Sequence, residues 1–201
     1  MSIEAGLFTL GALKNSLRCF QKKLPMLRFV LPCILFCCLV ELNGYSQSEV
    51  AKTTVEYMDD GHPRHGLDIY GAKTGEKRPV VFWIHGGGWQ TGDKGDVKLK
   101  PGWFAAKGFI FVSANYRLLP EVDMDTLTRD VAKAFGWVRA NIARYGGDPS
   151  QILLAGHSAG AQLAALLSTD ERYLQAEGSS LKDVMGCVPV DGDTYDIPAI
   201  I

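Results

Sequence analysis

Apolar positions along this chain change their period several times, and each change marks a different kind of element. From Thr53 to Met58 and again from His65 to Ala72 the pattern alternates, with Leu67 and Ile69 set against Asp68 and Tyr70. Period-two alternation predicts two strands, and Asp59-Asp60-Gly61 between them predicts a turn and an antiparallel pairing. After Pro79 the alternation gives way to short unbroken apolar runs: Val80 to Ile84, Phe109 to Ala114, Gln151 to Ala155 and Met185 to Val190. Runs of this kind suit strands buried on both faces. Between the second and third of them, Val131, Phe135, Val138, Ile142 and Tyr145 recur at spacings of four and three, the stripe of an amphipathic helix. Gly146-Gly147 and Asp148-Pro149 then stop it. Alternating strand and helix implies βαβ units, so the chain is predicted to be α/β with a mostly parallel sheet and an antiparallel start.

Length and composition narrow this to one domain behind a leader. The chain has 201 residues, 47% of them hydrophobic, and a formal net charge of −1. That balance supports a buried core and offers no basic stripe for nucleic acid. Four of the five cysteines, Cys19, Cys33, Cys37 and Cys38, lie in the first forty residues, so the body holds no disulfide framework. Lys22, Lys23 and Arg28 precede an apolar stretch from Phe29 to Val40 that is too short to span a bilayer and of the length of a signal-peptide core. Residues 1–46 are therefore expected to be a leader, with cleavage before Gln47 and export to the periplasm or the exterior. An uncleaved anchor is the alternative, Met26 is an alternative start, and N-terminal sequencing decides between them. After cleavage no stable membrane span is expected in residues 47–201.

Two motifs carry chemistry. Gly156-His157-Ser158-Ala159-Gly160 stands where the run Gln151 to Ala155 ends and the helix-forming stretch Ala161 to Leu167 begins. In a strand-to-helix turn this sharp the two backbones nearly touch, so positions two residues either side of the serine need glycine. The serine hydroxyl is then exposed at the top of the sheet, as a nucleophile requires. His85-Gly86-Gly87-Gly88-Trp89 follows the run Val80 to Ile84. Its glycines allow backbone amides to approach a reacting carbonyl unobstructed, the requirement of an oxyanion hole. Gly87 and Gly88 are the candidate donors from this loop, Ala159 the donor after the nucleophile, and Gly86 is read as structural.

With both motifs in place the sequence resembles α/β-hydrolase carboxylesterases that have an HGGG oxyanion loop, including feruloyl, acetyl xylan and hormone-sensitive-lipase-like members. The resemblance covers about Val50 to Ile201. His157 before the nucleophile and Trp89 after the glycines are closer to the feruloyl-esterase-like and arylformamidase-like branches, and Ala161 stands where prolyl-oligopeptidase-like enzymes carry a further glycine. Asn115-Tyr116-Arg117-Leu118 and Gly146-Gly147-Asp148-Pro149 look like structural landmarks of the family. The resemblance implies hydrolysis of a small-molecule or carbohydrate-linked ester through an acyl-enzyme on Ser158, with neither metal nor organic cofactor. An arylformamidase-like amide hydrolase and a non-catalytic hydrolase-fold binding protein are the competing readings.

One feature departs from the family. All four histidines, His62, His65, His85 and His157, precede Ser158, whereas this architecture orders its triad Ser, then Asp or Glu, then His. His157 adjoins Ser158 but points away from it, His85 is read as fixing the glycine loop, and His62 and His65 are read as a surface turn. Asp191, Asp193 and Asp196 follow the last strand and are read as an acidic loop; Cys187 is read as a buried apolar residue. The resemblance thus places the acid and histidine past Ile201. The sheet is expected to be incomplete at its C-terminal side, with an apolar edge, and these residues alone to be inactive.

Overall fold

The computed structural model describes residues 50–192; the leader, its cysteines, and Asp193 and Asp196 lie outside the described residues. Within them six strands form one sheet: β1 (Lys52–Glu56), β2 (Gly66–Tyr70), β3 (Arg78–Ile84), β4 (Ile110–Ala114), β5 (Gly147–His157) and β6 (Val184–Val190), in the order β1-β2-β4-β3-β5-β6. β1 pairs antiparallel with β2, and β2 with β4, while β4, β3, β5 and β6 run parallel. The antiparallel start and the parallel remainder match the switch from alternating to continuous apolar pattern. Both faces of β3 are buried as its unbroken run demands. Val80, Phe82 and Ile84 pack into one cluster and Val81 and Trp83 into another.

Among the described residues four helices cover those faces: α1 (Lys100–Ala106), α2 (Met124–Asn141), α3 (Ala159–Thr169) and α4 (Glu171–Ala176). α2 begins where the Asp123 side chain accepts the Thr126 amide at 2.8 Å, and it buries Leu127, Val131, Ala134, Phe135 and Val138. Phe135 meets Phe82 edge to face at 5.8 Å, the arrangement that aromatic quadrupoles favour. The stripe continues into a 3-10 turn, Ile142–Tyr145, which Gly146 stops at φ +84°. β5 then starts at Gly147, four residues earlier than its apolar run suggests, because Gly147 pairs with Arg78 across an irregularity in the ladder. On the opposite face α1 packs Phe104 against Phe111 of β4. Among the described residues no helix is long and apolar enough to cross a membrane.

The order of strands places the site. From β3 the chain crosses to β4 on one side, then returns past β3 to β5 on the other. Loops leaving the carboxyl ends of β3 and β5 therefore diverge at a crevice, the switch point where parallel sheets bind their ligands. Ile84, the last residue of β3, is in register with Gly156 of β5, so the two motifs emerge side by side.

Candidate active site

Ser158 is the residue between β5 and α3, and its backbone is at φ +52°, ψ −119°. Few L-residues adopt that region, and its cost is of the order of 1–3 kcal/mol. The glycines around it are required by space. A Cβ on Gly156 would overlap the Gly160 carbonyl, and a Cβ on Gly160 would overlap the carbonyls of Ile84 and His85. Strand, helix and the neighbouring strand thus meet backbone to backbone, as the spacing of the motif predicts. Ser158 is half-buried; its amide donates to Val190 at the end of β6 at 3.0 Å, and its carbonyl accepts Ala161 at 2.9 Å. Ala159 is the first residue of α3, a position whose amide has no partner within the helix.

The glycine loop lies against this turn. A Cβ on Gly86 would be 2.7 Å from the His157 carbonyl oxygen and 3.2 Å from Cβ of Ser158, which explains its absence. Gly87, at φ +117°, turns the chain so that its carbonyl accepts the amides of Gln90 and Thr91, at 3.1 and 3.0 Å. Gly88 is exposed and has open space around its Cα. Trp89 is buried at φ +59°, and its carbonyl accepts the Leu119 amide at 2.8 Å. Gly86 therefore lies directly against the Ser158 turn, and Gly87 and Gly88 are the next residues of the same loop.

The histidines divide among different tasks. His85 is buried, stacks on Tyr116 at 4.4 Å, and places Nδ1 2.8 Å from the Gly86 carbonyl and Nε2 3.1 Å from Nη2 of Arg64. Burial pushes its pKa down and the charge of Arg64 adds to this, against the opposing Gly86 hydrogen bond. His157 is half-exposed, with Nε2 3.5 Å from Asp191, the residue that leaves β6 at φ +55°. His65 corrects the reading of a surface turn. It is 1% exposed and held between Asp60, at 2.8 Å from Nδ1, and Asp130, at 3.3 Å from Nε2. Only His62, 2.7 Å from Glu121, sits at the surface side of that turn. Cys187 is half-buried rather than enclosed, because among the described residues β6 has a strand on one side only.

Arg64 and Asp130 are supporting residues that the sequence does not single out, and Asn115 is one that it places in a structural landmark. Arg64 bridges the glycine loop and the segment after β4, donating to Gly92 and Tyr116 carbonyls at 2.9 and 2.6 Å. Asp130 binds Arg117 through both carboxylate oxygens at 2.6 and 2.7 Å. Asn115 accepts the Lys94 amide at 2.6 Å and donates to Asp93 at 2.8 Å. A carboxylate beside the apolar stripe of α2 was the one signal present in the sequence, since an acid on a buried face needs a partner.

The BD-FAE family model matches residues 67–186, from β2 through the elbow into β6. The chain is similar to the probable carboxylic ester hydrolase LipM of Mycobacterium tuberculosis, 37% identical over 150 residues, 71% of this chain and 34% of that protein. It is also similar to the isoprenylcysteine alpha-carbonyl methylesterase ICME of Arabidopsis thaliana, 30% identical over 139 residues, 69% of this chain and 32% of that protein. Among solved structures, esterase B from Lactobacillus rhamnosis (HN001) aligns with a TM-score of 0.59 at 26% identity, over 84% of this chain and 55% of that chain. The chain spans about a third of the length of these two curated relatives. With the family model matched over more than half of its length, across the same strands that carry both motifs, the chain belongs to the BD-FAE family of α/β-hydrolase carboxylesterases.

Proposed function

We propose that the protein hydrolyses carboxylic esters through an acyl-enzyme on Ser158. The observation that carries this reading is the backbone of Ser158: a non-glycine residue at φ +52°, on a turn pressed against a glycine loop. Strain of this kind concentrates where a side chain must be presented. Ser158 Oγ attacks the ester carbonyl, whose oxygen becomes anionic in the tetrahedral intermediate. The amides of Gly87, Gly88 and Ala159 are the proposed donors to that oxygen, and the positive end of α3 favours the same charge. The alcohol then leaves and water releases the acid. Neither metal nor cofactor has a step to perform.

The proton of Oγ needs an acceptor. The Nε2 lone pair of His85 faces Arg64, His65 lies between two carboxylates, His62 bonds Glu121, and His157 faces Asp191. None of these contacts reaches Ser158 Oγ, and this architecture orders its base histidine after the serine and the acid. The names of the relatives share the carboxylic ester and nothing finer; the proposed substrate, a small acyl ester with acetyl or feruloyl included, rests on the resemblance of the two motifs. Treating the whole protein with a fluorophosphonate and mapping the adduct by mass spectrometry tests the reading. Phosphonylation of Ser158, and a loss of p-nitrophenyl acetate hydrolysis in Ser158→Ala of roughly a thousandfold or more, are expected. An adduct on another residue, or turnover that survives the substitution, would refute the nucleophile. Greater turnover of an arylformamide than of acetyl and feruloyl esters would move the protein to the amide branch.

A further inference from the structure

A loop with three successive glycines has little conformational preference of its own, so something outside it must select its shape. Arg64, half-buried in the turn before β2, reaches three neutral acceptors on two segments. Its Nε donates to the Tyr116 carbonyl at 2.6 Å, and its Nη2 faces both the Gly92 carbonyl at 2.9 Å and His85 Nε2 at 3.1 Å. A guanidinium has no lone pair to offer, so His85 Nε2 must be the acceptor. A neutral imidazole carries one N–H, which is then on Nδ1 and donates to the Gly86 carbonyl at 2.8 Å. The far end of the loop closes on the same ring. A Cβ on Gly92 would stand 2.6 Å from His85 Nδ1, so only glycine lets the chain return there. Tyr116 stacks on the ring and its hydroxyl donates to the His85 carbonyl at 2.9 Å. Arg64 is itself anchored, since its neighbour His65 is locked between Asp60 and Asp130, and its carbonyl lies 3.3 Å from the Tyr57 hydroxyl, whose nearer acceptor is the Asn115 carbonyl at 3.0 Å.

We propose that Arg64 is the positioning residue of the glycine loop: it fixes His85 as the neutral Nδ1–H ring and thereby holds residues 85–92 in the shape that packs Gly86 against the Ser158 turn and sets the course of Gly87 and Gly88. The charges that bear on His85 agree with a neutral ring. Burial and Arg64 disfavour its protonation, and the carboxylates of Asp93 and Asp96 oppose them without prevailing. That the loop amides meet an oxyanion rests on the function proposed above; the clasp does not depend on it.

Nitrogen-15 NMR of the full chain, labelled at histidine and glycine, reads both parts. In the native protein His85 is expected to show a protonated Nδ1 and an unprotonated Nε2, and to titrate below the ordinary histidine range. Arg64→Met removes every donor. Its expected results are a loss of the single tautomer, a titration moved upward, and displaced amide resonances at Gly87 and Gly88. Arg64→Lys, with its charge and one donor position kept, falls between. Unmoved His85 and glycine resonances in a folded Arg64→Met protein would overturn the proposal. So would a native ring protonated at Nε2, which decides the matter even where Arg64→Met does not fold. A native spectrum as expected, in a protein that no fluorophosphonate labels at Ser158, would remove the esterase reading and leave the clasp standing.

Discussion

Ser158 combines a side chain that the chemistry asks for with a backbone that its chemistry makes costly. A Cβ at φ +52°, ψ −119° is strained by an amount on the order of 1–3 kcal/mol, whereas glycine adopts positive φ freely. Glycine also gains freedom in the unfolded chain, which offsets roughly 0.4–1 kcal/mol of that relief. The strain is the larger quantity, so Ser158→Gly is expected to be more stable than Ser158→Ala by about 1 kcal/mol, although both lose the hydroxyl. Urea denaturation of the two variants measures this directly, and equal midpoints would mean that the turn stores no strain at its centre. The need for Gly156 and Gly160 was legible in the sequence because it follows from the spacing of a strand-to-helix turn. The need for Gly92 was not, since it depends on a ring seven residues earlier that turns back to meet it.

Elements with a long period were the most legible. The α2 stripe from Val131 to Tyr145 is found buried or half-buried throughout, and the four apolar runs are the four parallel strands. α1 was not legible: Pro101 and Gly102 stand inside its first turns, and what holds it is the contact of Phe104 with Phe109 and Phe111 across the chain. The turn at His62 to His65 shows the same limit, because its burial comes from Asp130, sixty-five positions away. Asp130 is fully buried and binds both His65 and the guanidinium of Arg117, whose side chain is 25% exposed. Removing one partner from a buried pair costs about 3–5 kcal/mol, and partial exposure of Arg117 places this case at the lower end. Asp130→Asn is therefore expected to lose about 3 kcal/mol in urea denaturation. Asp125→Asn on the same helix weakens an exposed pair with Arg129 and the hydrogen bond from the Tyr173 hydroxyl, and should move the midpoint far less. Similar losses in both variants would mean that the buried network adds nothing beyond ordinary surface pairing.

At the scale of the whole sheet, the two outer strands are unlike each other. β1, with Lys52, Thr53, Thr54 and Glu56 exposed, carries the charge and polarity that keep an unpaired strand from joining another. β6 contains no charged residue from Val184 to Val190, and its Met185, Val188 and Val190 are 49%, 44% and 41% exposed. The run Met185 to Val190 reads as a strand meant for burial, which predicts an apolar edge, and among the described residues it has β5 on one side only. This edge is not remote from the site, because the Val190 carbonyl accepts the Ser158 amide and Asp191 faces His157. An apolar strand with unpaired backbone groups along it is a template for association, opposed here only by Pro189, which cannot donate. The chain as given is expected to associate at concentrations of about 100 µM, within the range where exposed edges aggregate. Val188→Lys should shift it toward monomer by placing a charge at the centre of that edge. Light scattering after size exclusion separates the outcomes: a native chain that stays monomeric, or a lysine variant that associates as strongly, would show that β6 is already protected by something other than charge.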